Sequence, residues 1–105
     1  MSVVVVATIT PLPEHVDAVR EALLAAVPQV HGEPGCELYA MHEDDGGFVM
    51  IERWADLDAL RVHGKAEALT TLGGVLAGKL AAAPEVRRLS ALPAGDPGKG
   101  SLPTG

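Results

Sequence analysis

The sequence predicts one small α+β domain built on a four-stranded antiparallel sheet. Its length of 105 residues allows a single domain with a single hydrophobic core. Strand-like and helix-like periods of apolar residues alternate along the chain in the order β-α-β-β-α-β. Several predicted strands are also apolar on both faces, which is typical of a sheet that is covered on both sides.

Composition excludes several classes of function. The net charge is −6, from 14 acidic and 8 basic residues, so a phosphate backbone would be repelled and nucleic-acid binding is not expected. No run of Lys or Arg suggests an anionic membrane surface. The single cysteine, Cys36, excludes an intramolecular disulfide and a thiolate cluster for a metal.

A membrane or secretory location is not expected either. No segment approaches the roughly 20 apolar residues that a membrane-spanning helix needs. The apolar run from Val3 to Val6 is short and lacks both a basic segment before it and a cleavage site after it, so it does not resemble a signal peptide. A cytoplasmic location is therefore predicted.

The first strand is predicted over residues 3–10, which are mostly β-branched, and Pro11 and Pro13 end it. A helix is predicted from Glu14, and Pro28 should kink it or end it early because proline cannot donate the helical hydrogen bond. The apolar residues of this helix recur at steps of three and four: Val16, Val19, Leu23, Val27 and Val30.

Residues 36–43 and 47–54 predict a hairpin, with turn residues at 44–47 that tolerate positive φ. Strict alternation places one group of the first arm on one face: Cys36, Leu38, Ala40 and His42. Tyr39 and Met41 would then lie on the other face. In the second arm, one face carries Phe48, Met50, Glu52 and Trp54.

Two more helices and a last strand complete the predicted domain. Asp56 is positioned to cap a short helix that runs through His63. A longer helix is predicted over residues 66–81, and Pro84 ends it. Residues 85–92 read as the last strand.

The order βαββαβ is the ferredoxin-like arrangement, in which the helices cover one face of the sheet. We expect residues 1–92 to form this domain. Residues 93–105 are rich in Gly and Pro without an apolar period, and we expect them to be disordered. No further helix remains for the second sheet face, so a second copy in a two-fold homodimer is the expected cover.

Short motifs run through the hairpin and the following helix: Pro34-Gly35-Cys36, Tyr39, Glu52-x-Trp54, Ala59-Leu60 and His63. In this order, the chain resembles the antibiotic biosynthesis monooxygenase (ABM) family over residues 3–92. The resemblance implies ferredoxin-like subunits that pair into a dimeric α+β barrel, each with a small pocket between sheet and helices. It also implies a cofactor-independent monooxygenase that acts with O₂ on a small aromatic, quinol or polyketide-type substrate and needs no metal.

Two departures from the family pattern matter. Relatives usually carry a second His followed by an aromatic residue after the position of His63, and residues 64–69 contain neither. Haem-degrading relatives carry an Asn on the first strand, whereas this chain has no Asn, which argues against haem cleavage. The alternative function is a non-catalytic dimer of the same fold that binds a small molecule or serves a stress response.

Three polar residues are the candidate catalytic groups. His63 is predicted to be a general base that removes a proton from a phenol or an activated carbon acid; alternatively, it only forms a hydrogen bond near a helix end. Glu52 either takes part in catalysis or pairs structurally, because a carboxylate among apolar residues needs a partner. Tyr39 would orient a substrate oxygen or lie in the dimer interface.

An aromatic substrate is predicted to bind against Trp54, Phe48 and Met50, which share a strand face. The alternative for Trp54 is a core position with its indole N–H bonded to a carbonyl. The other candidates are interpreted as non-catalytic: Cys36 as a small core residue, His42 as part of a solvated acidic turn without a metal, and His15 and His31 as surface residues.

Overall fold

The computed structural model describes residues 2–102. It confirms the α+β class and the ferredoxin-like order of elements. A single 3₁₀ turn, Pro13–His15, leads into the first helix. The elements are β1 (Val3–Ile9), α1 (Val16–His31), β2 (Cys36–Glu43), β3 (Phe48–Trp54), α2 (Leu57–Gly64), α3 (Glu67–Leu76) and β4 (Glu85–Leu89).

The four strands form one sheet in the order β2-β3-β1-β4, and every neighbouring pair is antiparallel. The register aligns one residue of each strand in a row that faces the helices. We call this the central row, and it consists of Tyr39, Glu52, Val5 and Arg88. Because β2 and β4 are the edge strands, the central row runs from one edge of the sheet to the other.

The core fills the space between the sheet and the helices. The cluster at one end is formed by Ile9, Val19, Leu23, Ala26, Phe48, Leu72 and Leu76. The second cluster is formed by Val5, Val30, Tyr39, Met50, Trp54 and Ala68. Both clusters combine strand residues of one parity with helix residues at three- and four-residue steps, as the hydrophobic pattern predicts.

Of the two effects predicted for Pro28, a kink or an early end, the early end is wrong, because α1 continues through Pro28 to His31. The proline removes the hydrogen bond to the carbonyl of Leu24. Pro28 and Leu24 are both exposed, so water can hydrate that carbonyl. Val30 is fully buried and anchors the last turn against the sheet.

A β-bulge in β2 changes which residues face the helices. The pairing shifts between Cys36 and Leu38, so that Cys36 pairs with Trp54 and Tyr39 with Glu52. Paired residues share a sheet face, and the extra residue of a bulge reverses the alternation. The predicted placement of Cys36 on the face of Leu38 is therefore wrong: Cys36 and Tyr39 both face the helices.

The second half of the chain has shorter elements than predicted. α3 ends at Leu76, because Gly78 adopts a left-handed backbone with φ of 77° and the Lys79 amide donates to the Leu76 carbonyl over 3.0 Å. β4 ends at Leu89 instead of residue 92. Every residue of β4 is exposed, so this edge of the sheet is the least covered part of the fold.

Residues 90–102 follow β4 without helix or strand. The Leu102 carbonyl accepts a hydrogen bond of 2.7 Å from Arg53, on the sheet face opposite the helices. The domain boundary at residue 92 and the disorder of residues 93–105 stay predictions, and residues 103–105 lie outside the described part. Within residues 2–102, no helix is long and apolar enough to cross a membrane.

Candidate active site

A cavity of about 510 Å³ lies between the helix-facing side of the sheet and the helices α2 and α3. This volume is within the range of about 300–1,000 Å³ that small-molecule sites occupy. Its walls are mainly apolar, and its polar side chains are Tyr39, Glu52, His63 and Arg88. Apolar walls with a few polar groups are the usual composition of a ligand site.

The cavity opens between the helices and β4. The lining residues at this side are exposed to solvent: Gly64, Gly73, Pro84, Val86 and Arg88. At the opposite side the lining residues Tyr39, Glu52 and His63 are buried. A ligand would therefore enter past β4 and reach the polar groups at the buried end.

The position of His63 depends on the start of α2. The Asp56 side chain accepts a hydrogen bond of 2.8 Å from the Ala59 amide, which confirms the predicted cap. Two helical turns later, His63 returns over the sheet with 5% of its surface exposed. Its ring stacks on Trp54 with 4.3 Å between centroids and 30° between planes. The cap and the stack together fix the imidazole.

Gly35 allows α2 to pack closely against the start of β2. Its φ is 78°, and a Cβ placed on it would lie 2.5 Å from the Cβ of Ala59. The Gly35 carbonyl also accepts a hydrogen bond of 2.8 Å from the Ala55 amide. The Pro-Gly-Cys turn and the alanine of α2 therefore form one contact, which holds the helix of His63 beside the sheet.

Glu33 sets the orientation of His63. Its Oε1 lies 2.8 Å from Nδ1 of His63, and both side chains are almost fully buried. A carboxylate can only accept, so Nδ1 carries the hydrogen of this bond. In the neutral imidazole, the nitrogen without a hydrogen is then Nε2, on the side of Glu52. A carboxylate that holds an imidazole in this way prepares it to act as a base and stabilises the imidazolium that forms.

Glu52 lies beside the free nitrogen of His63. Its Oε1 accepts a hydrogen bond of 2.8 Å from the indole N–H of Trp54 and lies 3.8 Å from Nε2 of His63, which is too long for a hydrogen bond. Burial raises the pKa of Glu52 above its ordinary value, and the negative charge of Glu33 also raises it. The hydrogen bond from Trp54 and the nearby His63 oppose this shift without cancelling it. A ligand hydroxyl between the two groups can therefore exchange a proton with either.

Tyr39 completes the buried end of the cavity. Its ring meets His63 edge-on at 5.5 Å and Trp54 at 6.5 Å between centroids. Burial raises the pKa of the Tyr39 hydroxyl, and the charges of Glu52 and Glu33 raise it further. The hydroxyl therefore stays protonated at neutral pH and is suited to donate a hydrogen bond to a ligand oxygen.

The structure brings four of the six predicted site residues to the cavity wall, namely Tyr39, Met50, Glu52 and His63. Trp54 has no exposed surface and supports His63 and Glu52 from behind, with a carboxylate as the partner of its indole in place of the expected carbonyl. Phe48 is buried in the cluster that contains Leu23. Direct binding of a ligand by Trp54 or Phe48 stays a prediction.

Sequence reasoning missed Glu33 and Arg88. Glu33 directly precedes the Pro34-Gly35 turn that packs on α2, and this closeness was a signal that its carboxylate lies near the helix of His63. Arg88 belongs to a strand with two adjacent arginines. Period-two alternation requires one of the two to face the helices.

The other polar candidates lie away from the reactive end. His42 is exposed at the end of β2, and the neighbouring Glu43 pairs with Arg20 over 2.7 Å. Nε2 of His31 lies 3.0 Å from the Tyr39 carbonyl. Burial raises the pKa of the Cys36 thiol, so the thiolate is disfavoured. Across residues 2–102 no three His, Cys, Asp or Glu side chains are arranged to hold a metal ion.

The chain was compared with a family model, with curated proteins and with solved structures. The family model described as "Antibiotic biosynthesis monooxygenase" matches residues 2–72. No curated protein matches the chain. The solved structure of Rv0793 from Mycobacterium tuberculosis is 26% identical with a TM-score of 0.83, covering 91% of this chain and 100% of that one.

Two further solved structures are similar over most of the chain. PA3566 from Pseudomonas aeruginosa is 31% identical with a TM-score of 0.81, covering 87% of this chain and 94% of its own. A structure of an antibiotic biosynthesis monooxygenase is 30% identical with a TM-score of 0.80, covering 87% of this chain and 99% of its own. The family match over residues 2–72 includes β1 to β3 and the polar residues at the buried end of the cavity.

Proposed function

Since this chain belongs to the antibiotic biosynthesis monooxygenase family, we propose that it is a cofactor-independent monooxygenase of a small aromatic, quinol or polyketide-type substrate. One observation carries the proposal: a buried imidazole is held by a carboxylate at Nδ1 and has Nε2 free at the end of an apolar cavity. This arrangement is suited to the removal of a proton from a bound aromatic compound.

The reaction begins with proton transfer to Nε2 of His63. A substrate with an acidic methylene beside an aromatic ketone, or a quinol hydroxyl, becomes an electron-rich anion that reduces O₂ directly. For the methylene, one oxygen atom forms the new C=O bond. The other oxygen atom leaves as water with the two hydrogens that the carbon loses, so the substrate is its own reductant and the atoms balance.

The neighbouring groups of the chain assist this proton transfer. Glu33 stabilises the imidazolium that forms on His63. Tyr39 and the protonated form of Glu52 donate hydrogen bonds to the oxygen on which negative charge develops. Met50 and the other apolar lining residues exclude water, which strengthens these electrostatic interactions.

The second sheet face supports the proposal of a homodimer. This face carries the half-buried apolar side chains of Val6, Leu38, Ala40 and Ile51, and the helices lie on the other side. A second sheet packed against it would bury these residues in a closed two-fold interface. Sedimentation equilibrium should give about twice the chain mass of 10.8 kDa, whereas a monomer would contradict the proposal. A cytoplasmic location is part of the same proposal.

A non-catalytic binding dimer is the second candidate function. It is favoured by residues 64–69, which lack the second His and the aromatic residue of relatives. In that case the same cavity would hold a small apolar molecule without oxygenation.

The test compares oxygen consumption by wild type, His63→Ala and His42→Ala with an anthrone and with a naphthoquinol. Loss of a general base lowers kcat by about 10²–10⁴-fold, so His63→Ala should lose most of the rate. His42 is exposed outside the cavity, so His42→Ala should keep it. Melting temperature and dimer mass serve as controls. Equal rates in His63→Ala and wild type would exclude this base, and an inactive wild type that binds both compounds would favour the binding dimer.

A further inference from the structure

Arg88 reaches the cavity through the register of the sheet. It pairs with Val5 on β1, and Val5 pairs on its other side with Glu52 on β3. Adjacent strands lie about 4.8 Å apart, so the backbones of Arg88 and Glu52 are separated by roughly 10 Å along the central row. Arg88 therefore lines the open end of the cavity, while Glu52 and His63 line the buried end.

Within residues 2–102, no ion pair uses the positive charge of Arg88. Arg20, Arg53 and Arg61 each form an ion pair with an acidic side chain. For Arg88, no carboxylate of the described residues lies within ion-pair distance, although acidic residues outnumber basic ones by 14 to 8. An unpaired guanidinium at the rim of an apolar cavity is available to a ligand.

The adjacent Arg87 lies on the opposite sheet face and does not line the cavity. The two arginines are adjacent on β4 and both are exposed. Arg87 pairs with Val6, and therefore points to the sheet face opposite the helices. The chain thus contains a control of the same residue type and strand on the other sheet face; because this is the face proposed for the dimer, the dimer mass of the Arg87 variant is checked as well.

We propose that the cavity binds an aromatic carboxylate, with the carboxylate held by Arg88 and a ring hydroxyl directed at His63. A guanidinium presents a planar pair of N–H donors that matches a carboxylate. Val5, Ala7 and Met50 form the apolar floor between the two ends and would contact the rings. The inference rests on the proposed function for the role of His63, and it adds the charge and length of the ligand.

The test measures binding by isothermal titration calorimetry with 6-hydroxy-2-naphthoate and its uncharged amide, 6-hydroxy-2-naphthamide. Wild type should bind the acid about 10- to 100-fold more tightly than the amide, since a hydrogen bond to a charged group contributes this much. Arg88→Gln should lose this preference while its affinity for the amide stays the same. Arg87→Gln should keep the preference. Higher salt should reduce it in wild type, because Arg88 is exposed.

Several results would overturn the inference. One is a preference for the acid that persists in Arg88→Gln. Another is an equal loss of the preference in Arg87→Gln, which would indicate a general effect of net charge. Equal affinity of wild type for acid and amide, with oxygen consumption that depends on His63, would remove the role of Arg88 and leave the proposed function. Failure of wild type to bind either compound would overturn the inference and leave the proposed function to the oxygen-consumption test. An Arg88-dependent preference in a protein without oxygenase activity would support the inference alone.

Discussion

The two ends of the cavity are built in opposite ways. At the β2–β3 end, Glu33, Glu52, Trp54 and His63 are held by short hydrogen bonds and by ring stacking, and little of this end meets solvent. At the β4 end, Arg88 and its neighbours are exposed on an edge strand. The chemistry of proton transfer needs fixed geometry, and ligand entry needs an opening. The central row connects the two ends, from Tyr39 and Glu52 at the closed end to Arg88 at the open end.

The closed end is rigid because three segments meet there. The turn between α1 and β2 supplies Glu33 and Gly35, β3 supplies Glu52 and Trp54, and α2 supplies His63. The open end has less packing, since α3 contains Gly73 and Gly74 and ends before it reaches β4. We expect local opening of the structure to concentrate at this second end.

The largest expected effect is a difference in stability between two alanine variants, at Gly35 in the closed end and at Gly78 near the open end. Gly35 and Gly78 have φ of 78° and 77°, but a Cβ meets the Cβ of Ala59 only at Gly35. Gly78→Ala should cost about 1–2 kcal/mol of backbone strain. Gly35→Ala adds about 1–3 kcal/mol of overpacking, and it should also displace His63. Urea unfolding of both variants measures the difference, and equal losses would mean that the closed end is not tightly packed.

A second pair of variants tests the open end. Gly73 lines the cavity and Gly74 does not, although both lie in α3 with open space around the Cβ position. Leucine at either site should improve helix propensity by up to about 1 kcal/mol. Gly73→Leu should also narrow the cavity and weaken binding of 6-hydroxy-2-naphthamide by about tenfold or more. Calorimetry should find Gly74→Leu unchanged; equal weakening would show that entry occurs elsewhere.

The closed end was also where the sequence was most informative. The cap at Asp56, the face shared by Met50, Glu52 and Trp54, and the return of His63 over the sheet all follow from local pattern and period. Such features depend on neighbouring residues in the chain. Local pattern therefore predicted the elements that carry Met50, Glu52, Trp54 and His63.

Features that depend on the register between strands were not predictable in the same way. The bulge after Cys36 adds one residue to β2, and nothing in the alternation of that strand marks it. The place of Arg88 opposite Val5 is a property of the β1–β4 pairing alone. The continuation of α1 through Pro28 was not predictable from local pattern either. The lost helical hydrogen bond is offset by the tertiary surroundings, because Leu24 is exposed to water and Val30 is buried.

The smallest expected effect concerns the pH dependence of stability at the closed end. Burial raises the pKa of Glu52 in the folded chain above its unfolded value of about 4.5. The folded chain therefore keeps a proton that the unfolded chain releases between these two pKa values. The stability from this group is complete below pH 4.5 and is lost as pH rises through the raised pKa.

Glutamine at position 52 cannot titrate, but its side-chain oxygen can still accept the hydrogen bond from Trp54. The free energy of unfolding of wild type minus that of Glu52→Gln should accordingly fall as pH increases from 4.5. Urea denaturation of both proteins between about pH 4 and 8 measures this difference, and common effects of pH cancel in it. A difference that grows with pH would mean that the anion of Glu52, paired with His63 at 3.8 Å, is the favoured form, and Glu52 would then not be a proton donor to the substrate.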